Sequence, residues 1–162
     1  MSHDQNPHTA AEWDARYADT ERLWTSNVNP SLIAEASDLA PGTALDVGSG
    51  EGADARWLAD RGWQVTALDI SQVAVDRARE IDPRPSITWL RADVIAEDVP
   101  ATDVDLVTMH YFPIPKENVD AARRLVDAVG PGLDRQGAAA DRRRRAVVGL
   151  GAAAGPGLCA GR

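Results

Sequence analysis

Residues 44–52, Ala-Leu-Asp-Val-Gly-Ser-Gly-Glu-Gly, constrain this chain more than any other stretch. Ala44, Leu45 and Val47 form an apolar run of the kind found in buried strands, and glycines follow at alternate positions, Gly48, Gly50 and Gly52. Without a Cβ the backbone turns sharply there, and a ligand can approach main-chain atoms. A helical pattern, Ala53, Trp57 and Leu58, begins at once. A strand, a glycine-rich turn and a helix make the opening unit of a nucleotide-cofactor site.

The charges around the turn select among cofactors. Gly48-x-Gly50-x-x-Ala53 fits the dinucleotide fingerprint, which sets a pyrophosphate on a helix N-terminus. Asp46 just before the turn and Glu51 inside it would repel a diphosphate. They suit a ligand that carries positive charge, and S-adenosylmethionine carries a sulfonium and an ammonium. The strand Gln64-Val65-Thr66-Ala67-Leu68-Asp69 ends in an acid one helix further on. A carboxylate at that tip can hold both ribose hydroxyls of either cofactor, so Asp69 supports the site without choosing the ligand. A third run, Ile87-Thr88-Trp89-Leu90-Arg91-Ala92, ends in Asp93, which can accept from an adenine amino group.

Asp46-x-Gly48-x-Gly50-x-Gly52, then Asp69, then Ala92-Asp93-Val94, resembles the class I S-adenosylmethionine-dependent methyltransferases. Within them the chain is similar to small bacterial proteins of the tellurite-resistance and thiopurine-methylating kind, which begin with a helix resembling Trp13-Asp14-x-Arg16-Tyr17. The resemblance covers residues 10–132. It implies a Rossmann-like doubly wound parallel α/β sheet. It also implies a loop of Gly48, Ser49, Gly50 and Gly52 wrapped around the methionine and ribose of the cofactor. Asp46 would orient the loop and the cofactor's amino group. Asp69 would hold the ribose diol with Ile70 against the adenine face, and Asp93 and the Val94 amide would take the adenine edge. His110 would lie beside the methionine end and the acceptor. The implied reaction is in-line methyl transfer to a small-molecule or metalloid acceptor, carried mainly by positioning because the leaving thioether is neutral. The alternatives left open are a nicotinamide-dependent oxidoreductase and an inactive cofactor-binding remnant.

Strand and helix patterns alternate along the chain, which predicts a parallel sheet with right-handed crossovers. Thr9-x-x-Glu12 is a capping box for a first helix, with Trp13 and Tyr17 on one face as a lid over the pocket or as packing aromatics. Trp24 and the Thr25-Ser26-Asn27 turn are candidates for the rim of the same pocket. Asn29 caps a second helix opened by Pro30, with Leu32, Ile33, Ala36 and Leu39 as its buried stripe, and together these helices form an N-terminal cap over residues 9–40. Strands follow over 43–48, 64–69, 87–92 and 105–112, and helices over 52–61, from Ser71 toward Ile81, and over 116–129, where Asp120 and Arg124 can pair. Gly48–Gly52, Asp69, Asp93 and His110 then share the carboxyl ends of the strands, where open α/β sheets bind ligands. His110 is a candidate general base, or a side chain that only shapes the pocket while its carbonyl holds the cofactor ammonium. The Asn-Pro-Pro-Tyr motif of amino-group methylating enzymes is absent, because the equivalent stretch is Met109-His110-Tyr111-Phe112-Pro113.

At 162 residues the prior is one domain with a substantial core, and no apolar run approaches the ~20 residues of a membrane span. The first residues are polar, His3 and His8 have no assigned role, and no His/Cys cluster has metal-ligand spacing. A single cysteine, Cys159, forms no internal disulfide and fits a reducing cytoplasm. Residues 1–132 hold 11 Lys+Arg and 23 Asp+Glu, a net of −12, which disfavours a nucleic-acid acceptor. Residues 133–162 switch to a net of +4 from 6 Arg and 2 Asp, and 20 of those 30 residues are Ala, Gly or Arg. The chain therefore reads as a cofactor-binding domain over 1–132 and an irregular tail over 133–162, either out-of-frame or a genuine basic segment. The sheet is expected to be incomplete, with strands after the fourth missing or irregular. Val107 and Met109 would then lie on a bare edge, with marginal stability and weak catalysis.

Overall fold

A computed structural model of the chain describes residues 9–24, 26–101, 103–110, 112, 118–128 and 146–148. Expectations for His3, His8, Thr25, the Pro113–Pro115 stretch, Cys159 and most of the tail lie outside the described residues. Helices α1 (Ala10–Ala18) and α2 (Pro30–Ala36) lead into an alternating unit. Its elements are β1 (Thr43–Val47), α3 (Ala53–Asp60), β2 (Gln64–Asp69), α4 (Gln72–Ile81), β3 (Ile87–Arg91), β4 (Leu106–Thr108), α5 (Val119–Asp127) and β5 (Ala146–Val148). All strand pairs are parallel, in the order β3-β2-β1-β4-β5.

Local chemistry sets most boundaries. Thr9 closes the expected capping box with Glu12, and Asn29 accepts from the Ser31 amide ahead of Pro30. Ser71 caps α4 by accepting from the Ala74 amide. Gly62, at φ 88°, ends the α3 segment in the left-handed region. Asp14 ties α1 to this frame, since its Oδ1 accepts the Ser71 hydroxyl at 2.5 Å and the Val73 amide at 3.2 Å.

Two apolar layers sandwich the sheet. Leu32 and Ala36 of α2, Ala55 and Leu58 of α3, and Val75 and Ala78 of α4 pack on Ala44, Val65, Ala67, Ile87 and Leu106, together with Trp63 and Trp89. On the other face Leu125 and Ala128 cover Leu45, Val47, Leu68, Val107 and Met109. This is the doubly wound arrangement. Strand order reverses between β1 and β4, so the ligand crevice of such a sheet opens past their carboxyl ends.

Several expectations need correction. Ile33 is 41% exposed, because the buried stripe of α2 narrows to Leu32 and Ala36, with the half-buried Leu39 in the turn just after the helix. β4 is three residues long rather than eight, and the chain leaves it at Met109. The edge of β4 is not bare, because Ala146, Val147 and Val148 pair with Leu106, Val107 and Thr108. Val107 and Met109 are buried rather than exposed. Beyond β5 no strand occurs among the described residues. Arg124 turns away from Asp120 and donates to the carbonyls of Val94 and Ile95, both at 3.1 Å.

Candidate functional site

The turn between β1 and α3 is held by hydrogen bonds from the next strand. The Ser49 amide donates to the Leu68 carbonyl at 2.8 Å, and the Gly50 amide donates to Asp69 Oδ2 at 2.8 Å. The second oxygen of Asp69 accepts the Ser71 amide at 2.9 Å. Asp69, rather than Asp46, therefore fastens the loop. Gly50 and Gly52 stand at φ 53° and 86°, in the left-handed region where a Cβ is strained. A Cβ on Gly52 would sit 2.3 Å from the Trp89 ring, whereas one on Gly50 would meet the Tyr17 hydroxyl at 3.0 Å and Trp24 at 3.3 Å. Gly52 is thus required by the core and Gly50 by what lies over the loop.

Aromatic side chains cover that loop. Trp24 donates its indole N–H to the Tyr17 hydroxyl at 2.8 Å, and its amide donates to Glu51 at 3.2 Å. Tyr17 is buried, and burial with the nearby Asp69 charge pushes its phenol well above the ordinary range. Trp13 stands one turn back, its ring centroid 6.2 Å from that of Tyr17. A Cβ on Gly48 would meet the Phe112 ring at 3.0 Å, so Phe112 closes the other side. Arg77 of α4 pairs with Glu51 at 3.4 Å, linking the loop to the next helix.

Beneath the loop lies a buried acidic group. Asp46 is 2% exposed, and its Oδ1 accepts the Thr108 hydroxyl at 2.7 Å. Burial, and then the charge of Asp54, pushes its carboxyl up to about 8, with the Thr108 bond pulling the other way. Burial likewise raises Asp69, against the pull of the backbone amides of Ser71, Gly50 and Ile70. Besides Arg124 Nε on α5, three buried side-chain atoms among the described residues have no hydrogen-bond partner: Asp46 Oδ2, Ser49 Oγ and His110 Nε2. All three belong to the carboxyl ends of β1 and β4, whose register aligns Asp46 with Thr108 two residues before His110.

The remaining predicted residues sit at neighbouring strand ends. Ile70 is half-buried just past β2, and its carbonyl accepts from Arg91 at 3.3 Å. Asp93 follows β3, and its Oδ1 caps the next turn by accepting the Ile95 and Ala96 amides. Val94 is buried in the second apolar layer. No group of three metal-ligating side chains occurs among the described residues.

Sequence reasoning missed Asp54, Thr108 and Phe112. Asp54 lies in the first turn of α3, and its Oδ2 is 2.9 Å from His110 Nδ1. An acid just after a glycine loop is a visible signal, but its partner lies 56 residues away in sequence, and only the β1–β4 pairing brings the two together.

Comparison with known proteins agrees with this layout. Residues 44–132 match a family model described as a methyltransferase domain. An uncharacterized methyltransferase of Mycobacterium tuberculosis is 32% identical over 117 residues, covering 69% of this chain and 58% of the relative. A ubiquinone biosynthesis O-methyltransferase of Pseudomonas paraeruginosa is 31% identical over 115 residues, covering 64% and 49%. The crystal structure of an S-adenosylmethionine-dependent methyltransferase from Mesorhizobium loti superposes with a TM-score of 0.54 at 30% identity, covering 64% of this chain and 48% of that one. The chain thus spans about half the length of the relatives it matches. The family match sets aside the nicotinamide alternative. The chain belongs to the methyltransferase-domain family and has the fold of the S-adenosylmethionine-dependent methyltransferases.

Proposed function

We propose that this chain binds S-adenosylmethionine at the carboxyl ends of β1, β2 and β4 and directs its methyl group to a small acceptor. The observation that carries this reading is the set of buried polar atoms without partners, Asp46 Oδ2, Ser49 Oγ and His110 Nε2, around a glycine turn. Buried polar groups of this kind need a partner. Two acceptor-rich groups and a hydroxyl suit a ligand that brings donors and positive charge. When bound, the cofactor supplies an electrophilic methyl on a sulfonium. Asp46 takes the cofactor's ammonium, and the loop Gly48, Ser49, Gly50 and Gly52 lies along its methionine and ribose. Asp69 uses its remaining lone pairs on the ribose diol, and Ile70, Asp93 and Val94 border the adenine. Tyr17 and Trp24, with Trp13 behind them, exclude water from above, and His110 faces the acceptor.

We assign residues 1–132 to this cofactor-binding unit. Its net charge of −12 favours a small acceptor over a nucleic acid. The O-methyltransferase among the relatives makes a hydroxyl compound the first acceptor class to try. No helix among the described residues is long and apolar enough to cross a membrane. One cysteine and no internal disulfide suit a cytoplasmic setting. Calorimetric titration with S-adenosylhomocysteine tests the reading. One-to-one binding lost in Asp69→Ala supports it, and ligand at about 100 times Kd should then stabilise the fold by about 2.7 kcal/mol. A folded chain that binds a nicotinamide cofactor and not S-adenosylhomocysteine would overturn it.

A further inference from the structure

Asp54 stands where the chain leaves the glycine loop for α3, and both of its oxygens are engaged. Oδ1 accepts the Asn29 amide at 2.8 Å, and Oδ2 lies 2.9 Å from His110 Nδ1. The Asn29 bond engages the other carboxylate oxygen, so a rotation of Asp54 away from the ring would also break the bond to that amide. Both side chains are largely withdrawn from water, with 9% of His110 and 14% of Asp54 exposed. A carboxylate only accepts hydrogen bonds, so a neutral imidazole in this pair carries its proton on Nδ1. Nε2 is then a bare lone pair, and it is this nitrogen that is buried without a partner among the described residues. Among the described residues, the ionisable groups given near the ring are carboxyls. Asp54 bonds it from α3, and Asp46 of β1 lies close enough to Asp54 to feel its charge. No Lys or Arg is bonded to the ring among the described residues.

We infer that Asp54 is a positioning residue that fixes His110 with Nε2 as a proton acceptor, and that the site serves a protic acceptor, a hydroxyl that is deprotonated as it is methylated. The inference rests on the methyl-transfer reading above. The acceptor oxygen forms a bond to the methyl carbon, and the carbon–sulfur bond breaks with its electron pair leaving on sulfur as a neutral thioether. The hydroxyl proton passes to His110 Nε2. The resulting imidazolium donates through Nδ1 to Asp54, a charge-assisted bond in a site of low water content. An acceptor that arrives already ionised, such as a thiolate, gains nothing from this pair.

Imidazole nitrogen NMR of the full chain, with and without S-adenosylhomocysteine, reads the pair without needing an acceptor. The wild type should hold neutral His110 as the Nδ1–H tautomer. Asp54→Asn, whose amide can donate to Nδ1, should shift the ring to Nε2–H, and Asp54→Glu should restore part of the original signal. An Nε2–H ring in the wild type, or one that Asp54→Asn does not move, would overturn the inference. A second arm measures methyl transfer to catechol and to 4-nitrothiophenol, which is ionised in the assay. Asp54→Asn should lower kcat on catechol by at least about tenfold, leave KM for S-adenosylmethionine within about twofold, and spare the thiolate. Equal losses on both probes, or wild-type turnover of the thiolate alone, would sink the proton-acceptor role. S-adenosylhomocysteine binding is read separately. A chain with the expected tautomer that does not bind it contradicts the proposed cofactor site, while the Asp54–His110 pair stands.

Discussion

The helix-covered face of β1, β2 and β3 and the carboxyl edge of the same strands are built from residues only a few positions apart, yet they treat their polar groups differently. On the face, apolar side chains are fully buried, and Trp89 donates its indole N–H to the Asp82 carbonyl at 2.9 Å. At the edge, three acids, a serine and a histidine share a small volume, and three of their buried polar atoms lack partners among the described residues. The face lowers the free energy of the fold by removing apolar surface from water. The edge raises it by desolvating charge, an arrangement that persists because the face holds it in place and a ligand relieves it. Stability and function are therefore separable in this molecule, and mutations can test the separation.

The largest effect should come from the face. Trp63 is 1% exposed, and Trp63→Ala should remove about 3–5 kcal/mol in urea unfolding. A loss under about 1 kcal/mol would mean that this layer does not carry the fold. The two loop glycines divide the comparison more finely. Gly52→Ala must displace the Trp89 ring and occupy a strained φ, so about 2–4 kcal/mol of stability should be lost. Gly50→Ala carries similar backbone strain but presses on the Tyr17 hydroxyl, so its excess effect should appear in S-adenosylhomocysteine affinity. Equal profiles for the two variants would erase the distinction between face and edge.

The acids should give the edge its own pH dependence. Asp46 has its native value near 8, while unfolded Asp titrates near 3.9 as an ordinary side chain. Between those values the native state keeps a proton that the unfolded chain has lost. Stability should therefore be fullest in acid and fall as pH rises toward about 8, with Asp69 sloping the same way. Asp46→Asn should flatten that slope, as read from urea midpoints in mildly acidic and mildly alkaline buffer. A wild-type profile that instead rises with pH across this range would contradict it. If Asp46 meets the cofactor's ammonium, binding below about pH 8 should also release a proton, seen as a buffer-dependent enthalpy in calorimetry. The smallest effect belongs to neither region. Asp76 and Arg79 form an i,i+3 pair at 3.2 Å with both side chains 52% exposed, and Asp76→Ala should change stability by less than about 0.5 kcal/mol.

Much of the fold was legible in the sequence because its signals are local. The strand Gln64–Asp69, the caps Thr9, Asn29 and Ser71, and the left-handed Gly62 all follow from neighbours within a few residues. Elements whose limits depend on distant packing were misread. The pattern 105–112 looks like a long strand, but β1 offers partners only to Leu106, Val107 and Thr108. The triplet Ala146–Val148 gives a weak strand signal in an Ala/Gly/Arg-rich segment, and it pairs where the open ladder of β4 offers backbone donors and acceptors.

The sequence by itself determined the glycine turn, the acids at the ends of the first three strands, and the order in which strands and helices alternate. Each is a matter of residue type and short-range spacing, so it needs no knowledge of what folds against it. Tertiary structure alone decided which acid does which work. Asp69 ties the loop through Gly50, Asp46 is buried against Thr108, and Asp54 meets His110 across 56 residues. Those roles depend on the parallel register of β1 with β4 and on how deeply each carboxylate is desolvated, and neither quantity exists until the sheet has closed around them.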